Sequence, residues 1–565
     1  MGSAARPMAG PMSAGAVSHV AEDRPRATGG RAPDVFSRSG WVPMREHALG
    51  DEVDFAIVGS GCGGAVLATK LAEAGHSVVM FDAGPFWRPL SDFASDEREQ
   101  DKLYWLDPRV SDGDDPLELG ANNSGRNVGG STTHFQMVSL RFRPDWFKSR
   151  SKLGYAVDWP VDWHEMWHYY AEAERAMAIS GPISYPWGPK RGRYPYREHE
   201  VNAAGLVLAR GAEALGVAWA PTPLATVSAP RGKSPPCVYR GMCKIGCSTN
   251  AKQSMLVTYI PRALAAGAEI RDLAMVGRID TGPDGRVTGV EFHRDGGWHV
   301  QRARNVVVAG YSIETPRLLL NSACGRYPNG LANGSDQVGR YLMVHSNHAV
   351  WAEMDEEIRW YKGPPSMACC EHWNYDDDDP SRDFHGGYSF MSQGPLPGDF
   401  AGTLVTATGA FGLDLRERMA RYNRMAGLKI VGETMPQADN RVTLSDEKDG
   451  FGLPRARITF GYCDNDRRLY RHSLRFMSRM LQAAGGHDLL ETSSTAHLMG
   501  GCRMGSDPET SVTDANGRSW EIPNLWICDG SLMPTAGGVN PALTIVANAA
   551  RIGDRIVAMG RKGTI

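Results

Sequence analysis

The 565-residue chain carries 61 basic and 64 acidic side chains, for a formal net charge of -3, and 42% of its residues are hydrophobic. That length exceeds one simple core and predicts two closely packed domains. The near-neutral charge argues against a general nucleic-acid binder. Ten cysteines in so long a chain do not make a disulfide scaffold, and no apolar run is long enough to cross a bilayer.

Residues 1–50 are rich in Ala, Gly, Pro, Ser and Arg and show little hydrophobic periodicity. This composition predicts a mostly disordered leader. The segment lacks a basic start followed by an apolar core, so we expect no signal peptide of its own. A cryptic targeting role for it stays open.

A dinucleotide-binding motif follows. An apolar strand at 54–58 leads into a glycine-rich turn, a helical pattern covers 65–74, and a second strand at 77–81 ends in Asp82. The helix N-terminus offers free N–H groups to phosphates, and Asp82 is placed to bind ribose hydroxyls. The order predicts an adenine dinucleotide; a glycine-rich turn without a ligand is the alternative. The turn residues expected to contact the cofactor are Gly59, Gly61, Cys62, Gly63 and Gly64.

A second glycine-rich segment covers residues 125–135. Its small residues Gly129, Gly130 and Ser131 suit backbone that passes directly against a flat cofactor. Beside the dinucleotide motif, we interpret the segment as a flavin contact and not as a plain turn. Val276, on a strand that returns to the nucleotide-binding domain, is expected to contact the same cofactor.

Three cysteines, Cys237, Cys243 and Cys247, lie close together in one loop with two glycines. Their spacing is not that of a structural zinc site. Soft thiolates without histidine favour an iron–sulfur cluster, and three thiolates suit a three-iron cluster. Spacing alone leaves two alternatives open: packed thiols, or a loop that has lost its iron.

The last segment carries residues suited to catalysis. His497 precedes a glycine-rich turn, and Asn540 stands before the final helix as an N-cap with proline at the first helical position. The helix dipole then favours the negative charge of a reduced flavin. Taken singly, each residue also has a plainer interpretation, as a helix cap or a satisfied core histidine. The residues expected to contact the cofactor here are Asp529, Gly530, Asn540, Pro541 and Ala542.

Together these segments resemble the glucose–methanol–choline (GMC) flavin oxidoreductases, from about Val53 to Met559. The resemblance implies FAD and an α/β fold, with a Rossmann-like FAD-binding domain and an α+β substrate domain on a largely antiparallel sheet. His497 and Asn540 match the family's catalytic pair. The domain bounds that follow are a leader at 1–50, an FAD-binding domain at 51–335 and 495–565 with the cysteine loop 230–250 inserted, and a substrate domain at 336–494 that also receives part of 150–225.

Two features resemble particular branches of the family. The Ser-Thr-Thr-His run that ends at His134 is similar to pyranose-oxidase and gluconate-dehydrogenase sequences. In pyranose oxidases a histidine here can bond covalently to the flavin, and related sequences keep it without the bond. The cysteine loop is similar to that of bacterial dehydrogenase catalytic subunits acting on glucose, gluconate, sorbitol and glucosides, where three cysteines hold a 3Fe–4S cluster. Here Ser248 and Thr249 follow the third cysteine, where many cluster loops have proline.

The resemblance implies oxidation of a secondary alcohol of a sugar, polyol or glycoside to a ketone. His497 would be the general base, and Asn540 would hold the same oxygen and direct the C–H toward flavin N5. Electrons would leave through the cluster to a cytochrome c or quinone. Such subunits pair with a small subunit that can carry the export signal, which implies a periplasmic enzyme, or a cytoplasmic one if it acts alone. The alternative is a stand-alone oxidase that reduces oxygen to hydrogen peroxide with no working cluster.

Overall fold

The computed structural model describes residues 27, 29–119 and 124–563. In chain order the strands are β1 (Arg31–Pro33), β2 (Trp41–Pro43), β3 (Val53–Val58), β4 (Val78–Phe81), β5 (Val110–Asp112), β6 (Ser180–Gly181), β7 (Tyr196–Arg197), β8 (Ala220–Pro221), β9 (Glu269–Arg271), β10 (Met275–Thr281), β11 (Val287–Arg294), β12 (Gly297–Val308), β13 (Met343–Ser346), β14 (Ala349–Glu353), β15 (Ala368–Cys370), β16 (Tyr388–Gln393), β17 (Met425–Gly432), β18 (Arg441–Lys448), β19 (Pro454–Thr459), β20 (His487–Thr492), β21 (Thr495–Met499) and β22 (Leu525–Ile527). The α-helices are α1 (Cys62–Glu73), α2 (Pro89–Asp92), α3 (Trp163–Ala176), α4 (Ala203–Ala214), α5 (Tyr259–Ala265), α6 (Tyr311–Asn321), α7 (His372–Tyr375), α8 (Pro397–Thr408), α9 (Gly412–Ala420), α10 (Asp464–Ala483) and α11 (Ala542–Arg561).

The first large sheet is built around β3, whose apolar side chains are mostly buried. Five strands lie parallel in the order β9-β4-β3-β12-β22, and β10 and β11 extend the first half of β12 as an antiparallel arm. Helix α1 follows β3 and packs against α5 and α11. A parallel sheet with helices between its strands confirms the predicted Rossmann-like domain.

The second large sheet is antiparallel throughout. Its order is β20-β14-β17-β16-β15-β8, and β13 joins β17 to β21. Along β17, Leu428 and Ile430 face the core beneath α4 and α10, whereas Lys429 and Val431 line an internal cavity. Alternation of this kind is the period-two pattern of a sheet with one face on a core. The expected α+β layer on a largely antiparallel sheet is therefore confirmed.

One boundary differs from the expected division of the chain. Strand β21 at 495–499 was assigned to the FAD-binding part, but it pairs with β13 and so extends the substrate-side sheet. His497, which lies on β21, therefore belongs to the substrate-side sheet and not to the FAD-binding part. Helix α4 and strand β8, both from the predicted 150–225 contribution, pack on or pair with the same sheet.

The strand-forming residue types at 403–412 predict a strand, but most of this run is helical. Residues 403–408 belong to α8 (Pro397–Thr408), which Gly409 caps in the left-handed conformation at φ 70°. Phe400 and Leu404 are its buried residues, one helical turn apart, so the packing follows a helical and not an alternating period. The β-branched threonines and valine that suggested a strand lie mostly on the outer face.

Three helix starts also differ from the expected positions. The sequence from Ser254 to Ala266 predicts a helix, but α5 begins only at Tyr259. The sequence from Glu314 to Leu320 predicts a helix with proline in its first turn, but α6 begins at Tyr311, so Pro316 lies inside it. The final helix starts one residue later than expected, so Pro541 occupies the cap position in place of Asn540.

The segment 29–50, expected to be disordered, is ordered and packed on the first sheet's domain. Strands β1 and β2 form an antiparallel pair, and Ala32 and Val35 are buried. The Asn250 amide donates to the carbonyl oxygen of Val35 at 2.8 Å, and the side chain of Glu269 accepts from the N–H of His47 at 2.8 Å. The apolar residues of this segment show no periodicity in the sequence, but in the fold they pack against the surface of the first sheet's domain. Residues 1–26 and 28 of the expected leader lie outside the described residues.

Candidate active site

The turn after β3 can be built only from glycine at three positions. Gly59 has φ +100°, and an added Cβ would lie 2.2 Å from the carbonyl oxygen of Ala309. A Cβ on Gly63 would lie 1.6 Å from the carbonyl oxygen of Cys528, and one on Gly64 would lie 1.9 Å from that of Gly59. Such distances exclude any side chain, so strand, turn and helix pack backbone to backbone.

Asp82 closes β4 beside this turn, and its carboxylate is already bound by protein donors. Ser60 Oγ donates to Oδ2 at 2.5 Å, and the N–H of Gly84 donates to Oδ1 at 3.0 Å. Burial raises the pKa of Asp82, and the Ser60 hydrogen bond opposes that shift. Asp82 also lines the cavity, at the place expected for a ribose. Ser60 occupies a variable position of the glycine motif, and the pattern gave no reason to single it out.

The second glycine loop lies directly against the first. Gly129 and Gly130 have φ +92° and +56°, and a Cβ on Gly130 would lie 2.8 Å from the Cα of Gly61. The N–H of Gly129 donates to Ser60 Oγ at 3.0 Å. The short 3₁₀ turn that begins at Gly130 reaches His134, which is buried and also lines the cavity.

His134 is held as a neutral ring. Burial lowers its pKa to about 3, and the positive charges of Lys252 and Lys244 act in the same direction. Its ring packs edge to face against Tyr104, with 4.8 Å between centroids. Nε2 of His134 has no hydrogen-bond partner within the described chain, so it remains a free polar atom in the cavity wall.

The C-terminal residues complete the cavity from the opposite side. Asp529 Oδ2 accepts from the N–H of Tyr311 at 2.8 Å and from Thr315 Oγ1 at 2.5 Å, so this carboxylate fixes the start of α6. Burial raises the pKa of Asp529, and these donors oppose the shift. All but two of the residues expected to contact the cofactor line this one cavity, and the structure thereby brings together Gly59, Gly61, Cys62, Gly63, Asp82, Gly130, Ser131, His134, Val276, Asp529, Gly530, Asn540, Pro541 and Ala542. The other two, Gly64 and Gly129, lie in the turns but are not among the residues that line the cavity.

His497 and Asn540 meet at the end of this cavity. Asn540 Nδ2 lies 3.3 Å from His497 Nε2, although 43 residues separate the two in the chain. A third residue, His345 on β13, places its Nδ1 3.0 Å from His497 Nδ1 and its Nε2 2.7 Å from the carbonyl oxygen of Gly537. Sequence analysis missed His345 because no local pattern links residues 152 positions apart.

Both histidines are neutral at ordinary pH. Burial lowers the pKa of His497 well below its usual value, and electrostatic interactions with His345, Lys429 and His134 lower it further. Burial also lowers the pKa of His345 to about 4. Of the cationic side chains that line the cavity, Arg126 and Arg317 are paired with carboxylates, whereas no carboxylate of the described chain pairs with Lys429. Burial lowers the pKa of Lys429 to about 7.

Comparison with known proteins agrees with this geometry. A family model described as GMC oxidoreductase matches residues 118–347 with its N-terminal part and 436–549 with its C-terminal part, and a model of the NAD(P)-binding Rossmann-like domain matches 57–87. The chain belongs to the GMC oxidoreductase family. It is therefore a flavin enzyme that acts on alcohol groups, and its cofactor is FAD.

Three curated members of the GMC family are similar along nearly their whole length. 2-Methyl-1,2-propanediol dehydrogenase of Mycolicibacterium austroafricanum is 32% identical, covering 90% of this chain and 95% of its own. The fructose dehydrogenase large subunit of Gluconobacter japonicus is 29% identical, covering 89% and 97%. The 6'''-hydroxyparomomycin C oxidase of Streptomyces lividus is 30% identical, covering 90% and 92%. Dehydrogenases and oxidases thus both stand among the relatives.

The cavity of this GMC member fits FAD. Only Gly130 Cα lies within 4 Å of a Cβ added to Gly61, at 3.8 Å, so the first turn is open toward the cavity where a pyrophosphate would pass. Helix α1 begins beside this turn without a side-chain cap from the described residue Gly61, and the first N–H groups of a helix have no partner within it. At the other end, Oδ1 of Asn540 and Nε2 of His134 are buried polar atoms that lack partners among the described residues. Buried polar atoms of this kind are usually satisfied by a ligand or ordered water.

The cysteine loop brings its three thiols within electrostatic reach of one another. Cys237 Sγ accepts from the N–H of Tyr239 at 3.4 Å, and Cys247 Sγ lies 3.4 Å from Thr249 Oγ1. Burial raises the pKa of Cys243. Over residues 27, 29–119 and 124–563, no three Cys, His, Asp or Glu side chains are arranged to hold a metal ion.

The cysteine loop is nevertheless joined to the flavin loop through Lys252. The Lys252 ammonium donates to the carbonyl oxygen of Thr133 at 2.7 Å and to that of Cys243 at 2.8 Å. Burial lowers the pKa of Lys252 to about 8.

None of the described helices combines the length and apolarity that a membrane span requires.

Proposed function

We propose that this enzyme oxidises a secondary alcohol of a sugar, polyol or glycoside to a ketone, with FAD as the oxidant. The observation that carries the proposal is the pair His497 and Asn540, which place an acceptor and a donor side by side in the cavity wall. The substrate named for the similar fructose dehydrogenase, a sugar with several secondary hydroxyls, supports this class of substrate.

His497 is the proposed general base. Its ring is neutral, so Nε2 can take the hydroxyl proton of the substrate. Asn540 Nδ2 then donates to the same substrate oxygen, which fixes its position and stabilises the charge it gains as the proton leaves. Bound FAD supplies the acceptor for the hydride of the substrate C–H bond.

The substrate end of the cavity joins apolar walls to a few polar groups. Met391 and Val431 contribute apolar surface from the antiparallel sheet, and Lys429 stands between them as a donor. Asn347 also lines the cavity, and its buried Oδ1 has no partner in the part of the chain described. A substrate with several hydroxyl groups would satisfy both polar groups, and an alkane chain would satisfy neither.

A second part of the proposal concerns the electron acceptor that reoxidises the flavin. The resemblance favours a dehydrogenase with a 3Fe–4S cluster on Cys237, Cys243 and Cys247, a small subunit and a cytochrome c or quinone acceptor, in the periplasm. The name of the fructose dehydrogenase large subunit supports a partner subunit. The proton and hydride steps above require no cluster. A stand-alone oxidase is the second candidate, favoured by the similar aminoglycoside oxidase.

A panel of polyols, sugars, glycosides and primary alcohols, mixed anaerobically with the purified enzyme, tests the proposal. We expect polyols or sugars with secondary hydroxyls to bleach the flavin, and the product to be a ketone. Bleaching by primary alcohols alone would contradict it. Iron and acid-labile sulfide per flavin, measured on protein purified without air, then separates the two acceptors: stoichiometric iron supports the dehydrogenase, and peroxide formation without iron supports the oxidase.

A further inference from the structure

The carbonyl oxygen of Gly537 is the fixed end of a hydrogen-bond chain that reaches His497. Gly537 has φ +65°, and its N–H lies near the buried carboxyl group of Glu433. The next carbonyl, that of Gly538, accepts from Asn374 Nδ2 at 3.1 Å and from Ser389 Oγ at 2.8 Å. These contacts, at the N–H of Gly537 and at the carbonyl of Gly538, flank the Gly537 carbonyl and fix its direction. A carbonyl oxygen can only accept a hydrogen bond.

This acceptor determines which nitrogen of His345 carries the proton. His345 Nε2 lies 2.7 Å from the Gly537 carbonyl oxygen, so Nε2 must be the donor. His345 is fully buried and neutral. A neutral imidazole has one N–H, so Nδ1 of His345 is a bare acceptor.

The tautomer of His345 in turn determines which nitrogen of His497 carries the hydrogen. Its Nδ1 lies 3.0 Å from the bare Nδ1 of His345, so His497 Nδ1 must carry the hydrogen. Nε2 of neutral His497 is then bare, and Asn540 Nδ2 donates to it at 3.3 Å. One set of tautomers satisfies all three contacts. The opposite set would place the Nε2 lone pair of His345 against the carbonyl oxygen.

We propose that His345 is a positioning residue that fixes the productive tautomer of His497 and so presents a bare Nε2 to the substrate hydroxyl. This inference rests on the proposed function, since it deepens the role of His497 as the base. His345 does not itself line the cavity, so it acts only through His497.

Loss of His345 leaves an unproductive arrangement available. Asn540 Oδ1 is buried without a partner among the described residues. A rotation of that amide would let Oδ1 accept from a protonated Nε2 of His497, which would occupy the lone pair needed for the substrate proton. The other titratable groups that act on His497, Lys429 and His134, do so electrostatically and make no hydrogen bond to its ring within the described chain.

Two variants of His345 separate a tautomer effect from a packing effect. His345→Leu removes the acceptor, whereas His345→Asn keeps an oxygen acceptor close to the position of Nδ1. His348 provides the matched control: it is also a buried neutral histidine beside β13, bonded to Ser346 Oγ at 3.0 Å and Ser473 Oγ at 3.1 Å, and it does not line the cavity. His348→Leu and His348→Asn therefore report the cost of the substitution alone.

The kinetic readout is the anaerobic rate of flavin reduction at saturating substrate. We expect His345→Leu to slow it by about 10²- to 10⁴-fold, the usual contribution of a general base, with little change in KM. His345→Asn should stay within about tenfold of wild type, and the two His348 variants should agree with each other within a few-fold. Near-normal reduction by His345→Leu, with His497→Ala inactive, would overturn the positioning role alone. Normal reduction by His497→Ala would instead overturn the proposed function.

A second readout needs neither turnover nor a variant of His345. In protein labelled with ¹⁵N in its histidine rings, the signals of His497 are identified by their loss in His497→Asn. We expect the wild-type ring to show a protonated Nδ1 and an unprotonated Nε2. A protonated Nε2 in wild type would overturn the inference even if the His345 variants failed to fold.

Discussion

Ser60 Oγ lies 2.5 Å from Oδ2 of Asp82, and the same hydroxyl accepts from the N–H of Gly129 at 3.0 Å. One serine thus connects the nucleotide turn, the acid after the second parallel strand and the flavin loop. Because the three segments are distant in sequence, this hydroxyl fixes the geometry of the FAD site from its protein side.

Ser60→Ala should therefore weaken both fold and cofactor retention. It removes a donor from a buried carboxylate, which costs on the order of 1–3 kcal/mol. Thermal unfolding and the flavin-to-protein ratio measure the two effects. Ser91→Ala is the matched control, because Ser91 Oγ donates to Asp92 at 2.9 Å on the exposed surface, where substitutions usually stay within about 0.5 kcal/mol. Equal behaviour of the two variants would show that the Ser60 contact is dispensable.

Two glycines inside helices should respond oppositely to alanine. Gly63→Ala places a Cβ against the carbonyl oxygen of Cys528, so we expect loss of FAD and of soluble protein. Gly402→Ala, in α8, meets no atom within 4 Å and should stabilise by about 0.5–1 kcal/mol, since glycine is a poor helix former. Expression yield, flavin content and thermal unfolding distinguish the two. A flavin-loaded Gly63→Ala protein would contradict the backbone-to-backbone packing of the turn.

Lys429→Met should move the acidic limb of the pH–rate profile. The positive charge of Lys429 helps to hold the pKa of His497 down, and Lys429 is charged below its own pKa of about 7. Its removal raises the pKa of His497, so the rate should begin to fall at a higher pH, by on the order of one unit or less. The profile of kcat/KM gives the shift. Lys152→Met, which breaks a surface pair with Asp145, should leave the limb in place; an identical shift there would exclude a local charge effect.

Glu433 should make stability fall as pH rises. Burial raises its pKa from 4.5 to about 7, so between those values the folded state binds a proton that the unfolded chain has lost. The free energy of unfolding therefore decreases with rising pH across that window. Glu433→Gln removes this contribution, and denaturant titrations at about pH 5 and 7 should show a smaller decline. Glu491→Gln, at an exposed carboxylate, should decline like wild type. A parallel decline in Glu433→Gln would contradict the prediction.

The nucleotide turn could be predicted because its requirements are local. Gly59 and Gly64 lie five residues apart, and the strand and helix beside them have clear apolar periods. The substrate-side sheet could also be predicted as largely antiparallel, because strand-like runs alternate with loops from residue 339 to residue 485. In each case the physical cause and the sequence pattern occupy the same short window.

Other features depend on contacts that a sequence pattern does not contain. His345 reaches His497 only because β13 pairs with β21. The ordered segment around Ala32 and Val35 is stabilised by a surface supplied by residues far along the chain. The run at 403–412 has strand-forming residue types, but Phe400 and Leu404 bury one helical face, and tertiary packing outweighs the local preference.

The measurement that tests the central claim most directly is anaerobic single-turnover reduction of the flavin in His497→Ala, with the best substrate of the panel. Flavin content and its spectrum establish that the variant binds FAD as wild type does, and His164→Ala, at an exposed histidine, serves as the control. The account predicts a flavin that remains bound and oxidised, with reduction slowed by at least about 10²-fold. Reduction at the wild-type rate would contradict the assignment of His497 as the base.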